Sequence, residues 1–201
     1  MTLSSRMIVV LTSIGVLSGA FLVSVGILTK ERIVLNKQRE IETAITAVVP
    51  GTRTSQKLYE EKDFSVYSGE DEQGHLLGFA LNASAAGFQD KILFMIGIDP
   101  DLTRISSLYV LDQKETPGLG AKITDRESFL VFWENKKISE PLKLRKPPAA
   151  SPDELLPYEV NTISGATVSS EAVLSAVNIS VEKLRKLKEE GKLNSKGRDG
   201  N

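Results

Sequence analysis

The clearest pattern in the chain is an uncharged, mostly apolar stretch from Met7 to Thr29, MIVVLTSIGVLSGAFLVSVGILT. As a helix rising about 1.5 Å per residue it covers about 34 Å, enough for a hydrocarbon core. It is longer than the apolar part of a usual cleaved signal and runs into charged sequence without a clear small-residue cleavage site, which favours an uncleaved anchor. Gly15-Val-Leu-Ser-Gly19 fits the small-xxx-small spacing of helix pairing in lipid, although glycine is common in membrane helices generally. From Lys30 to Val49 charges surround Ile33, Ile41, Ile45 and Val48 at helical spacing. This predicts an amphipathic stalk that stops before Pro50-Gly51 and acts either as a spacer or as a docking face.

Beyond about Phe64 the pattern turns to strands. Phe64–Tyr67 and Leu76–Leu81 flank a polar loop, Ser68 to Gly74, and read as a hairpin. The apolar run Ile92–Ile98 reads as a buried central strand, and Arg104–Leu111 as its neighbour after the Asp99-Pro100-Asp101 turn. Arg126–Trp133 resembles a short helix whose Phe129, Phe132 and Trp133 belong in a core. Lys136–Pro157 is proline-rich loop with room for a short strand near Leu142–Leu144. Val168–Glu190 is a long helix carrying Val173, Ala176, Val177, Val181 and Leu184. The polar tail from Gly191 is expected to be disordered.

Composition narrows the chemistry. With no cysteine and one histidine, cluster ligation, structural zinc, thiol nucleophiles and disulfides are excluded. His75 beside the hairpin loop reads as a solvated side chain, and no metal site is expected. A net charge of −1 offers no basic field for nucleic acid. Redox work in such a chain would need an organic cofactor, flavin foremost.

Two segments could carry chemistry. Glu115-Thr116-Pro117-Gly118-Leu119-Gly120 follows a predicted strand, and Pro-Gly forms a turn that a ligand can approach closely. On its own it is a loop, binding or not. Asn161-Thr162-Ile163-Ser164-Gly165-Ala166-Thr167 precedes the long helix. Small residues leave Thr167 open at a helix N-terminus, where unpaired N–H groups suit a phosphate. Ordinary capping by Ser or Thr explains the same residues.

Together the two segments resemble the FMN-binding family that includes the G subunit of the Rnf electron-transport complex and the C subunit of the sodium-pumping NADH:quinone reductase. Ala86–Asp90 and the single N-terminal span are also family-like, and the likeness extends to about residue 185. The resemblance implies one FMN per chain, joined through its phosphate to Thr167. Asn161, Ser164, Gly165 and Ala166 would form the attachment motif, and Glu115, Thr116, Gly118 and Leu119 would border the flavin. The first motif position is usually Asp and is Asn161 here, so recognition by the flavin transferase that attaches FMN could be slower. Ser169 and Ser170 are lesser acceptors.

The expected fold is α+β: a membrane helix (7–29), a stalk (30–49) and one FMN-binding domain (50–190) with a mainly antiparallel sheet and flanking helices, between short tails (1–6 and 191–201). The resemblance puts the flavin domain outside the cytoplasm on a single-pass protein of the inner membrane. Lys30, Arg32, Lys37 and Arg39 after the span argue the reverse. The resemblance is followed here, because charge bias is statistical and partner subunits can fix topology. The implied role is a redox subunit, without catalytic residues of its own, of a translocase moving electrons between ferredoxin and NAD with Na+ or H+ transport. Its partners would be other members of the complex, the transferase and lipid. The shorter chain favours the Rnf G subunit over its counterpart in the reductase. A stand-alone FMN shuttle and a cofactor-free anchored scaffold are the alternatives.

Overall fold

The structure is a computed structural model and describes residues 3–193. The chain divides into two compact units, Met1–Ile41 and Glu42–Asn201.

A single helix, α1 (Leu3–Val48), begins ahead of the predicted span and runs unbroken through the predicted stalk. It is long and apolar enough to cross a membrane. Its polar side chains need not stay unsatisfied in lipid: the hydroxyls of Ser13, Ser24 and Thr29 each donate to the carbonyl four residues back at 2.8 Å. The stalk's apolar residues do not form one packing stripe. Ile33 is exposed, whereas Ala44, Ile45 and Val48 are buried in the second unit.

The second unit is built on a five-stranded antiparallel sheet in chain order: β1 (Thr54–Glu61), β2 (Phe64–Glu70), β3 (Leu76–Ala86), β4 (Lys91–Ile98) and β5 (Ile105–Asp112). The sequence pattern does not predict β1. Its sequence, TSQKLYEE, is polar because it is an edge strand with largely exposed side chains. The predicted helix at Arg126–Trp133 is instead a series of turns ending in a 3-10 turn at Leu130–Trp133. Its aromatic residues Phe129, Phe132 and Trp133 are nevertheless in the core. A short parallel pair, β6 (Lys143–Arg145) and β7 (Glu159–Asn161), brackets the proline-rich loop. The long helix is α2 (Thr167–Glu189). Residues 194–201 of the polar tail lie outside the described residues.

The two faces of the sheet are covered differently. Phe79, Leu81, Ala83 and Ala85 of β3 form one core with Phe94, Ile96 and Ile98 of β4 and with Val173, Val177, Val181 and Leu184 of α2. These positions alternate along the strands and recur at helical spacing along α2, so each element buries its apolar side. On the other face, Gly69, Gly78 and Gly97 of three adjacent strands receive the end of α1 and Val49. A side chain at Gly97 would overlap the Val48 carbonyl, and one at Gly78 would come 3.3 Å from Val49 Cγ1. Backbone there packs almost directly on backbone.

Candidate functional site

Three segments far apart in sequence meet at the N-terminal end of α2: the loop between β3 and β4, the loop after β5, and the start of the helix. They enclose a pocket of about 360 Å³ lined by Phe88, Glu115, Thr116, Leu119 and Gly120 on one side and by residues 165–169 on the other. That volume lies in the range of small-molecule sites, roughly 300–1,000 Å³.

The helix start is shaped by local backbone needs. Gly165 has φ +80°, the left-handed region that favours glycine, and the Ala166 N–H turns back to the Ile163 carbonyl at 3.0 Å. Ser170, wholly buried, accepts from the Ile163 N–H at 3.3 Å and donates to the Ala166 carbonyl at 3.0 Å. The turn is therefore fixed by Ser170 from within the helix, and Thr167 is not needed as a cap. Thr167 is the first residue of α2, half-buried, with no hydrogen bond engaging its hydroxyl. The N–H groups of Thr167, Val168 and Ser169 have no backbone acceptor, so the positive end of the helix opens beside that hydroxyl.

The loop after β5 turns tightly. The N–H groups of Leu119 and Ala121 both donate to the Thr116 carbonyl at 3.1 Å, and Gly118 takes φ +78°. This drives Glu115 inward, where it is only 5% exposed. Its carboxylate accepts from Ser169 Oγ at 2.6 Å and from the Gln89 N–H at 3.0 Å. Gln89 also donates from Nε2 to Thr116 Oγ1 at 2.9 Å. Gly87 and Gly120 close on the carboxylate from two sides: a Cβ at Gly87 would collide with Oε1, and one at Gly120 would come 2.5 Å from Oε2 and 2.8 Å from Ser169 Oγ. Burial pushes this acid up, but the hydrogen bonds from Ser169 and from the backbone of residues 88–90 outweigh it and hold it below the ordinary carboxylate value.

Above this polar floor the rim is apolar and open. Phe88, Leu119 and Val168 are 70%, 48% and 52% exposed. Among the lining residues Glu115 bears the only charge.

The pocket thus brings together Glu115, Thr116, Leu119, Gly165, Ala166 and Thr167, while Asn161, Ser164 and Gly118 are not in its lining. Asn161 is buried and engaged elsewhere: its Oδ1 accepts from the Ala149 N–H at 2.8 Å, and its Nδ2 donates to the Ala149 carbonyl at 3.0 Å. Ser169 is held by Glu115 and Ser170 by the turn, so neither hydroxyl is free in the way Thr167's is. His75 is exposed, paired with Asp71 at 3.0 Å. No metal-binding group of acidic or histidine side chains occurs among the described residues. Phe88, Gln89 and Val168 do not stand out in the sequence. The only signal for the first two is their place in the Ala86–Asp90 segment.

Residues 87–182 match the FMN-binding domain family. The chain is 32% identical over 119 residues to the G subunit of the ion-translocating oxidoreductase complex of Methanosarcina acetivorans, covering 58% of this chain and 56% of that protein. It is 26% identical over 123 residues to the G subunit of the Na(+)-translocating ferredoxin:NAD(+) oxidoreductase complex of Acetobacterium woodii, covering 61% and 56%. With the corresponding ion-translocating oxidoreductase protein of Vibrio vulnificus the match is 27% over 172 residues and 77% of each chain. The matched part therefore spans little more than half of the Methanosarcina and Acetobacterium proteins. Among solved structures the fold is shared with NqrC of Shewanella oneidensis (TM-score 0.53, 20% identity, 68% of this chain and 72% of that one). It is also shared with the C subunit of the Na(+)-translocating NADH-quinone reductase of Parabacteroides distasonis (TM-score 0.55, 21% identity, 74% and 82%).

Proposed function

We propose that this relative of the oxidoreductase G subunits is itself a membrane-anchored electron carrier that holds one FMN by a phosphoester to Thr167. The observation that carries the reading is the free Thr167 hydroxyl at the open N-terminus of α2, facing the Glu115–Gly120 loop across one pocket. The residues present fit the group. Apolar side chains of Phe88, Leu119 and Val168 offer a surface for a flat ring, and the unpaired N–H groups of the first helical turn suit a phosphate.

The charge pattern favours a covalent link over simple binding. A free FMN phosphate carries close to two negative charges, yet no Lys or Arg lines this pocket and its one charge is negative. An ester removes part of the phosphate charge and makes retention independent of ion pairing. FMN supplies one- and two-electron chemistry when bound. The chain's part is to tether it through Thr167, flank it with the apolar rim and limit water at the floor. The helix α1 confines the domain to a membrane and so raises its effective concentration near partner subunits.

In this reading the chain is the G subunit of an Rnf-type translocase passing electrons between ferredoxin and NAD with Na+ or H+ movement. Its domain lies outside the cytoplasm, where a flavin transferase loads it. A cytoplasmic domain in a protease-protection assay would overturn that placement. The second reading is the C subunit of a sodium-pumping NADH:quinone reductase, whose fold the chain shares, and co-purifying subunits separate the two.

The test is co-production of the full chain with a flavin transferase, followed by a denaturing gel and intact-mass measurement. The expected result is a fluorescent band and a mass increase equal to FMN less one water. Thr167→Ala is expected to be dark, with thermal stability changed by no more than about 0.5 kcal/mol, because the half-buried side chain makes no hydrogen bond. A fluorescent Thr167→Ala band refutes the acceptor assignment.

A further inference from the structure

We propose that Glu115, ionised in the floor of the pocket, lowers the reduction potential of the ring held there by opposing the gain of negative charge. The proposal rests on the flavin reading above and assigns a residue to a property that reading leaves open.

The geometry singles out this carboxylate. It is the only charged side chain lining the pocket, and it is 5% exposed. Gly87 and Gly120 press on it so closely that neither can carry a side chain without collision, which leaves little room for screening water. Its donors are a neutral hydroxyl, Ser169, and the backbone of the β3–β4 loop. These hold the charge in place without cancelling it. Two basic groups flanking these loops are committed elsewhere and exposed: Lys114 pairs with Asp90 at 3.0 Å, and Lys91 pairs with Asp63. Lys122, in the turn after Gly120, is exposed and does not line the pocket. Gln89, which could have been a basic residue, is neutral. The net negative charge is therefore fixed where solvent and counter-ions reach it poorly, the condition under which a single charge acts over several ångströms.

Glu115 also ties the three pocket segments together, so loss of its side chain would mix a structural effect with an electrostatic one. The potential separates them. Glu115→Gln keeps the size, can still accept from the Gln89 N–H, and can donate its amide to Ser169 Oγ. Glu115→Asp keeps the charge.

The experiment equilibrates the full-length flavin-loaded chain in detergent at pH 8 with a two-electron quinone dye of known potential. The reduced dye gives up two electrons and its protons as the ring is reduced. For Glu115→Gln the equilibrium is expected to move about tenfold toward reduced flavin, the size of effect a unit charge within about 10 Å exerts at an effective dielectric near 20. Glu115→Asp should stay close to wild type. Ser169→Ala, which removes a donor but leaves the charge, should move the equilibrium the other way. It carries the test if Glu115→Gln does not fold. A loaded Glu115→Gln chain with the wild-type potential, or a Ser169→Ala shift toward reduced flavin, overturns the proposal and leaves the carrier reading standing. A wild-type chain that carries no flavin overturns both.

Discussion

The floor and the rim of the pocket follow opposite rules. At the floor the polar side chains are engaged: the Glu115 carboxylate takes up Ser169 Oγ and the Gln89 N–H, and two glycines leave no slack around it. At the rim almost nothing is engaged. Phe88, Leu119 and Val168 face outward, and the Thr167 hydroxyl has no partner. Polar atoms that are buried must be satisfied by the protein itself, whereas exposed apolar atoms that nothing covers mark a place for something else. The floor is thus part of the fold and the rim is what the fold presents.

Substitutions can break or sharpen that division. The largest effect is expected from Glu115→Ala, which strands buried donors from Ser169 and Gln89 and should cost about 2–4 kcal/mol in a denaturant titration of the full chain. Its pH signature is distinctive. Because Glu115 titrates below its ordinary value of 4.5 in the folded protein, the stability it contributes is complete above that value. The contribution is lost as pH falls through the lower folded value. Glu115→Ala should therefore show a shallower loss of stability between neutral and acid pH than wild type; equal acid slopes would place the carboxylate outside the floor's energetics. Next comes Asn161→Asp, expected to cost about 1–2 kcal/mol in the same measurement. Aspartate can still accept from the Ala149 N–H but turns an acceptor toward the Ala149 carbonyl, where Asn161 donates. The smallest effect belongs to the rim. Val168→Ser should alter stability by no more than about 0.5 kcal/mol, and a larger loss would show that the rim is packed rather than presented.

Much of this arrangement is legible in the sequence, for reasons that differ by element. The apolar spacing of α2 names Val173, Val177, Val181 and Leu184, all buried, because helical periodicity is a local signal. The hairpin of β2 and β3 and the run of β4 are legible in the same way. β1 is not, since an exposed edge strand carries no apolar alternation. The pairing of the Glu115–Gly120 loop with the Asn161–Thr167 segment comes from family resemblance, not from either segment alone. What no local pattern reveals is how these residues divide their work. An acid in a Pro-Gly loop looks solvated, yet Glu115 is buried by a partner, Ser169, far along the chain. Asn161 looks like part of an attachment site, yet both ends of its amide are taken up by Ala149.

The bare strip of Gly69, Gly78 and Gly97 beneath Val48 and Val49 has a practical consequence for anyone wishing to excise the second unit. Cutting at the Pro50-Gly51 turn would discard Ala44, Ile45 and Val48 and leave three central strands with unroofed backbone on that side. A fragment beginning near Glu42 keeps its own lid, so the natural seam lies inside the long helix and not at the first break in it.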